Sequence, residues 1–294
     1  HQVVNQVQCH QCDFVKPLVQ RGPECGSDQA PLIIGTGTEQ VEENLKMFFP
    51  AARILRMDRD TLHGKHALSK MHDRIRRHEV DIIIGTQLVT KGHDFPEVTL
   101  VGVILSDLSL NIPDFRASER TFQLLTQVAG RAGRGYKPGK VLIQTHNPRH
   151  HSLLCAKGHD TRQFRELELE RRQNLRMPPF HSLTLVICSS PHEKRAENLI
   201  WEISEKIQIF YSNKKNYSNT DQFTSEIEPI DSVQVIGPIE APMKKLRNRF
   251  RWQLLLKAGN VRAILRLLKQ VLETPPSTRR DELIQIDVDP HHLM

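Results

Sequence analysis

Cysteine is scarce in this chain, with five among 294 residues, and the five are scattered. That excludes a disulfide-stapled secreted scaffold and points to a reducing cytoplasm. No apolar run approaches the roughly 18 residues that a membrane span needs, and no signal-peptide pattern is present. A G-x4-GK-[ST] phosphate loop is also missing, so the sequence carries no P-loop of its own. The first residue is His1 rather than Met, and the chain is read as part of a longer protein. Neither sign of charge dominates: 41 Lys and Arg stand against 34 Asp and Glu, a net +7, which is compatible with nucleic acid without demanding it. The length is enough for two domains, each with its own core.

Two stretches carry the chemistry. The first is Asp81-Ile-Ile-Ile-Gly-Thr-Gln-Leu-Val-Thr-Lys-Gly-His-Asp94. Its β-branched run ending in Gly-Thr predicts a buried strand of a parallel sheet followed by a polar loop. Loops leaving the carboxyl ends of such strands are where open α/β sheets bind ligands. The second is Gln123-Leu-Leu-Thr-Gln-Val-Ala-Gly-Arg-Ala-Gly-Arg134. Read as a helix, it sets Gln127, Arg131 and Arg134 on one stripe. Two guanidiniums and an amide on one face suit a polyanion, because arginine presents a rigid fork of donors matched to phosphate oxygens. Gly130 and Gly133 would let a partner surface approach the backbone there. The plainer reading is a helix C-terminus with dipole-favoured basic residues and Gly135 as C-cap.

Together the stretches resemble motifs V and VI of superfamily-2 helicases, in the pattern GT-x4-KG-x-D and then Q-x2-GR-x2-R. The wording between them, Phe95-Pro-Glu-Val-Thr-Leu and Asp114-Phe-Arg-Ala-Ser-Glu-Arg, is similar to the primosomal protein N′ (PriA) family of replication-restart helicases, from about Cys9 to Pro290. The resemblance implies that ATP with Mg²⁺ sits between a first lobe, not encoded here, and a second lobe supplied by this chain. Arg134 would be the arginine finger with Arg131 beside it, and Gln127, Gly92 and Asp94 would line the nucleotide cleft. Thr86 and Lys91 would face the phosphates of a single DNA strand. The implied activity is 3′ to 5′ unwinding at stalled forks. The implied partners are forked and single-stranded DNA, primosome proteins and single-stranded DNA-binding protein, met by a monomer without a membrane.

Zinc enters through the same resemblance. Cys9-x2-Cys12 followed by Cys25 looks like part of a zinc knuckle. The family holds two Zn²⁺ on eight cysteines, whereas here the upstream pairs are missing and Gly22 stands at an expected Cys position. Structural zinc takes four protein ligands, so three thiolates leave the site short. Cys155 and Cys188 are isolated and read as packing residues. None of the histidines forms a set at ligand spacing.

The fold expected is α/β: a RecA-like second helicase lobe with a parallel sheet, preceded by a partial zinc-binding segment and followed by an α+β domain. The boundaries are 1–30 for the zinc segment, 31–150 for the lobe, 151–180 for a helical linker and 181–294 for the C-terminal domain. In the lobe, helix 39–49 is read with Thr38 as N-cap and Pro50 as its stop. Asp58-Arg59-Asp60 is read as a charged strand end. Beyond Met177-Pro178-Pro179 the order β-α-β-β-α-β predicts a split βαβ, ferredoxin-like domain.

Residues 244–251 of that domain, Lys-Lys-Leu-Arg-Asn-Arg-Phe-Arg, hold five basic residues in eight. As a strand from Arg247 to Leu256 they would set Arg247, Arg249 and Arg251 on an exposed rim, with Leu246, Phe250, Trp252 and Leu254 turned inward. Such a stripe suits phosphate contact without sequence reading. A DNA-binding module without turnover is the rival class. A dinucleotide enzyme using Gly35-Thr-Gly-Thr-Glu39 is disfavoured, because that loop lacks both a third glycine at Rossmann spacing and a lysine.

Overall fold

The computed structural model describes residues 2–3, 6–8, 15–17, 37–58, 67–86, 97–104, 106–133, 138–215, 233–273, 276 and 280–293, with backbone alone for 2–3, 6–8, 15–16, 67 and 211–215. The chain divides into two compact units, residues 1–8, 15–112 and 116–164 in the first and 9–14, 113–115 and 165–294 in the second.

The first unit opens with three short antiparallel strands, β1 (Gln2–Val3), β2 (Gln6–Gln8) and β3 (Val15–Pro17). Helix α1 (Thr38–Phe48) follows, then β4 (Ile54–Met57), α2 (Ala67–Arg76) and β5 (Ile82–Gly85). Strands β4 and β5 pair in parallel from Ile54 opposite Ile82 to Met57 opposite Gly85, and they bury Leu55, Met57 and Ile84. Next come β6 (Leu100–Val103), the short α3 (Asp107–Leu110), α4 (Ala117–Ala129) and β7 (Lys140–Ile143). Strand β7 pairs in parallel with β6. Parallel pairs joined through helices are what alternating apolar strands and amphipathic segments require. Among the described residues these are two separate two-stranded pairs.

Helix α4 is amphipathic for a clear reason: Thr121, Phe122, Leu125 and Val128 are buried while Gln123 and Gln127 are exposed. The Phe122 ring stacks on Phe164 at 4.0 Å between centroids. Helix α5 (His151–Lys157) packs on α4, and its N-terminus is capped by His150, whose side chain accepts from the Ser152 N–H. Cys155 in α5 is buried, as expected of a packing residue.

Helix α6 (Thr161–Asn174) leads into the second unit, built from β8 (Ser182–Ser190), α7 (Glu193–Lys215), β9 (Gln234–Leu246), β10 (Arg249–Ala258), α8 (Val261–Leu272) and β11 (Leu283–Val288). The sheet order is β11-β8-β10-β9 and every pairing is antiparallel, which is the expected split βαβ arrangement. Helix α8 shows why it works. Asn260 Oδ1 accepts from the Arg262 N–H at 2.7 Å to cap the helix. Ala263, Ile264, Leu267, Leu268 and Val271 then recur on one face and are all buried. They pack with Leu199, Ile200, Ile203 and Ile207 of α7 against Val186, Cys188, Leu254 and Leu256 of the sheet. Each of the Leu, Ile and Val side chains contributes about 1.5–3 kcal/mol on burial. The Cys188 thiol, wholly enclosed there, is pushed up to about 12 by burial. No helix among the described residues is long and apolar enough to cross a membrane.

Candidate nucleotide and nucleic-acid surfaces

Strand β5 delivers Gly85 and then Thr86 to the carboxyl end of a parallel pair, and both are exposed. Lys91, Gly92 and Asp94 lie outside the described residues. Beside Thr86, at the same end of β4, stands the charged strand end expected at Asp58, here joined to partners that sequence reading missed. Asp58 is buried, accepts a 2.7 Å hydrogen bond from Thr38 Oγ1 and pairs with Arg56 Nε at 3.1 Å. Arg56 also pairs with Glu39 at 3.1 Å and with Glu42 at 3.8 Å. Thr38 is therefore not the helix cap expected of it. Gly37 occupies the N-cap position and has no side chain to cap with, while the Thr38 hydroxyl, one residue inside the helix, is turned to the strand end. An acidic residue directly after an apolar strand, with a threonine opening the preceding helix, was the available signal.

The second stretch departs from its expected form. Helix α4 stops at Ala129 with Gly130 as C-cap, so Arg131 does not continue the helical stripe begun by Gln127, and Gly135 is not the cap. The backbone instead tightens: the Arg131 N–H donates to Val128 O at 3.0 Å and the Ala132 N–H to Ala129 O at 3.3 Å. Gly133 then takes φ +76°, a left-handed conformation natural to glycine, and its N–H donates to Val98 O at 3.0 Å. Gln127 is exposed on the helix and Arg131 is half-buried in the turn. Arg134 lies outside the described residues. A helix through Arg134 would need two glycines in its last turns, each costing about 1 kcal/mol relative to alanine. The bond to Val98 selects the turn instead.

The basic segment of the second unit is a hairpin, not one strand. Strand β9 runs on to Leu246, Arg247 and Asn248 form the two-residue turn with φ +49° and +62°, and β10 starts at Arg249. Positive φ at both central residues is the geometry that matches the twist of the flanking strands. Arg247 is exposed at the tip, without an ion-pair partner among the described residues. Lys244 beside it is held by Glu193 at 2.6 Å and Glu240 at 2.9 Å, and Lys245 lies over the Phe250 ring at 4.7 Å. Arg249 Nη2 donates to the Ser189 and Asp281 carbonyls at 2.8 and 2.7 Å.

Arg251 overturns the exposed-rim expectation most plainly. It is 9% exposed, Nη1 has no hydrogen-bond partner among the described residues, and burial pushes its pKa down. Gln253 and Lys257 follow on the same face and are buried too, Lys257 Nζ donating to Leu175 O at 3.2 Å. The alternation itself holds, since Trp252 and Leu254 pack on the helical core, but the opposite face of β10 is interior rather than solvated.

Strands β2 and β3 pair with Gln8 opposite Val15, so Cys9 and Cys12 fall in the connection 9–14. Cys9, Cys12, Gly22 and Cys25 lie outside the described residues. Among the described residues no three His, Cys, Asp or Glu side chains are grouped to hold a metal.

Residues 173–291 match the family model described as the primosomal protein N C-terminal domain. Along its whole length the chain is similar to replication restart protein PriA of Bacillus subtilis (strain 168), 38% identical over 296 residues covering 100% of this chain and 34% of that protein. The Synechocystis sp. PriA is 36% identical over 284 residues, 97% of this chain and 32% of the relative. The Haemophilus influenzae PriA is 35% identical over 293 residues, 100% of this chain and 38% of the relative. The chain thus spans about a third of the length of these curated relatives. The chain is therefore similar to PriA from end to end, and its ferredoxin-like unit matches the model of the primosomal protein N C-terminal domain.

Proposed function

We propose that this chain is part of an ATP-dependent 3′ to 5′ DNA helicase that restarts stalled replication forks and initiates primosome assembly. It contributes the arginine-bearing second lobe and a DNA-binding C-terminal domain. The observation that supports this most is local: the helix carrying Gln127 ends in a turn, Arg131 to Gly133, that is tied by a backbone bond to Val98 in the segment entering β6. A guanidinium that must meet charge as it develops needs such a fixed base, since preorganised donors cost no reorganisation at the moment of reaction.

ATP with Mg²⁺ supplies the phosphoanhydride bond whose hydrolysis drives the lobes apart and together. On this chain, Arg134 offers its fork to the γ-phosphate oxygens, Arg131 reinforces the positive field, and Gln127 couples the helix to the nucleotide. Gly92 and Asp94 line the cleft. Thr86 and Lys91 meet the phosphates of one DNA strand, and Arg247 at the hairpin tip adds a contact that reads no sequence. Arg249 serves there with the donors its carbonyl partners leave free, whereas Arg251 is withdrawn into the interior. Zn²⁺ would be held by Cys9, Cys12 and Cys25 and needs one further donor, which Gly22 does not provide.

The absence of a G-x4-GK-[ST] loop favours a second reading, in which this chain by itself binds forked DNA without turnover. ATP hydrolysis with and without forked DNA, measured on this chain alone and on the chain joined to its ATP-binding lobe, separates the two. DNA-stimulated turnover is expected only in the joined form. There, Arg134→Ala should reduce it by about 10³-fold or more while DNA affinity is unchanged. Unaltered turnover in that variant refutes the finger role.

A further inference from the structure

Gly139 lies against the motif VI turn more tightly than any side chain would allow. A Cβ built there would stand 2.6 Å from Ala132 Cβ and closer still to Ala132 C and Gly133 N. Two of these three atoms are backbone, so no rotamer change can relieve the overlap. The same place is pinned from a second direction. The Gly133 N–H donates to Val98 O at 3.0 Å and the Lys140 N–H donates to Thr99 O at 2.8 Å, so two neighbouring residues just before β6 hold both Gly133 and Lys140. The two ends of the connection between α4 and β7 are thereby clamped together at Gly133 and Gly139. Gly133 is also the residue from which Arg134 departs.

The contrast with Gly102 is informative. It sits one strand over, in β6, where an added Cβ would meet nothing within 4 Å among the described residues. Glycine at 102 is dispensable by space, and glycine at 139 is not. Nothing about folding a parallel β6–β7 pair demands glycine at 139, because β7 begins only at Lys140. What that glycine secures is the position of the Ala132–Gly133 peptide.

We propose that Gly139 is a positioning residue for the motif VI arginines: its missing side chain lets the Ala132–Gly133 peptide seat against the foot of β7, and this sets where the arginines are presented to the nucleotide. The assignment rests on the helicase reading given above. Its physical content is displacement. A methyl group at 139 must push the turn away by a distance on the order of an ångström, and a misplacement of that size costs about 10²-fold in a catalytic rate.

The test is a double-mutant cycle on DNA-stimulated ATP hydrolysis, with this chain joined to its ATP-binding lobe. Gly139→Ala should lower kcat by about 10²-fold, with the KM for ATP and the affinity for forked DNA nearly unchanged. Gly102→Ala should hydrolyse at the wild-type rate. In an Arg134→Ala background, Gly139→Ala should add less than about twofold, because groups acting as one unit are not additive. Losses that multiply instead would make Gly139 a general structural residue and overturn the proposal. Wild-type kcat in Gly139→Ala, beside a dead Arg134→Ala, also overturns it while leaving the helicase reading intact. Wild-type kcat in Arg134→Ala removes that reading itself. If Gly139→Ala does not fold, Gly133→Ala decides, since it strains the opposite side of the same clamp at φ +76°. It should show the same kcat-selective loss, and full turnover in it would overturn the assignment.

Discussion

Replacing Arg251 by methionine should stabilise the C-terminal unit, although it removes a charged residue from a basic segment. The guanidinium is 9% exposed and its Nη1 finds no acceptor among the described residues. Burial lowers its pKa, yet arginine stays protonated at any ordinary pH, so the charge remains in the interior uncompensated. An unmade buried hydrogen bond costs about 1–3 kcal/mol, more for a charged group. Methionine keeps an apolar stem of similar length, so little packing is lost. Replacement of buried charges by apolar residues of like volume gains about 1–4 kcal/mol in comparable settings, and that is the range expected here. In thermal unfolding each kcal/mol corresponds to about 4 °C at this domain size. The assay is urea unfolding followed by circular dichroism, run beside forked-DNA binding at several salt concentrations. Arg251→Met should leave the salt dependence of DNA binding unaltered. Arg247→Ala should lower the slope of log K against log salt by about 1, as for loss of one phosphate contact. A methionine variant less stable than wild type by about 1 kcal/mol or more would show the guanidinium to be satisfied, and the argument would fail.

Two further outcomes follow from the packing and the charges. Leu267→Ala, at a wholly buried position of α8, should cost about 2–5 kcal/mol in the same urea assay, whereas Leu265→Ala on the exposed face should cost far less. Equal effects would contradict the core described above. For pH, Asp81 is held well below the usual carboxylate range by hydrogen bonds from Arg53, Nη2 to Oδ1 at 2.7 Å and the backbone N–H to Oδ2 at 2.8 Å. A depressed folded-state pKa means that the contribution is complete above the unfolded value of about 4 and is lost as pH falls below it. The stabilities of wild type and Asp81→Asn should therefore converge as pH drops below about 4, and a gap that widens toward acid would reverse the sign argued here.

Much of the framework was legible because it is written in local periodicity. Helix Val261–Leu272 and strand Leu283–Val288 follow from the sequence alone, since an apolar face recurring at helical spacing and an alternating strand need no knowledge of their partners. The order of six elements in the second unit likewise implied the split βαβ sheet, because short connections and antiparallel pairing leave few other topologies. The two motif stretches were legible as chemistry, since residue type and spacing define them without coordinates.

What the tertiary structure decided lies where a distant group outcompetes the local pattern. Helix α4 ends before Arg131 because Val98 O, far away in sequence, captures the Gly133 N–H. Thr38 abandons the cap because Asp58 accepts its hydroxyl across the first unit. Arg247 and Asn248 turn a hairpin without the Asn-Gly pair that would have announced it, and the strand pairing of β9 with β10 imposes positive φ on both. Arg251 reads as a rim residue by alternation and is buried, since alternation assigns a side chain to one face of a sheet and only the rest of the fold determines whether that face meets water.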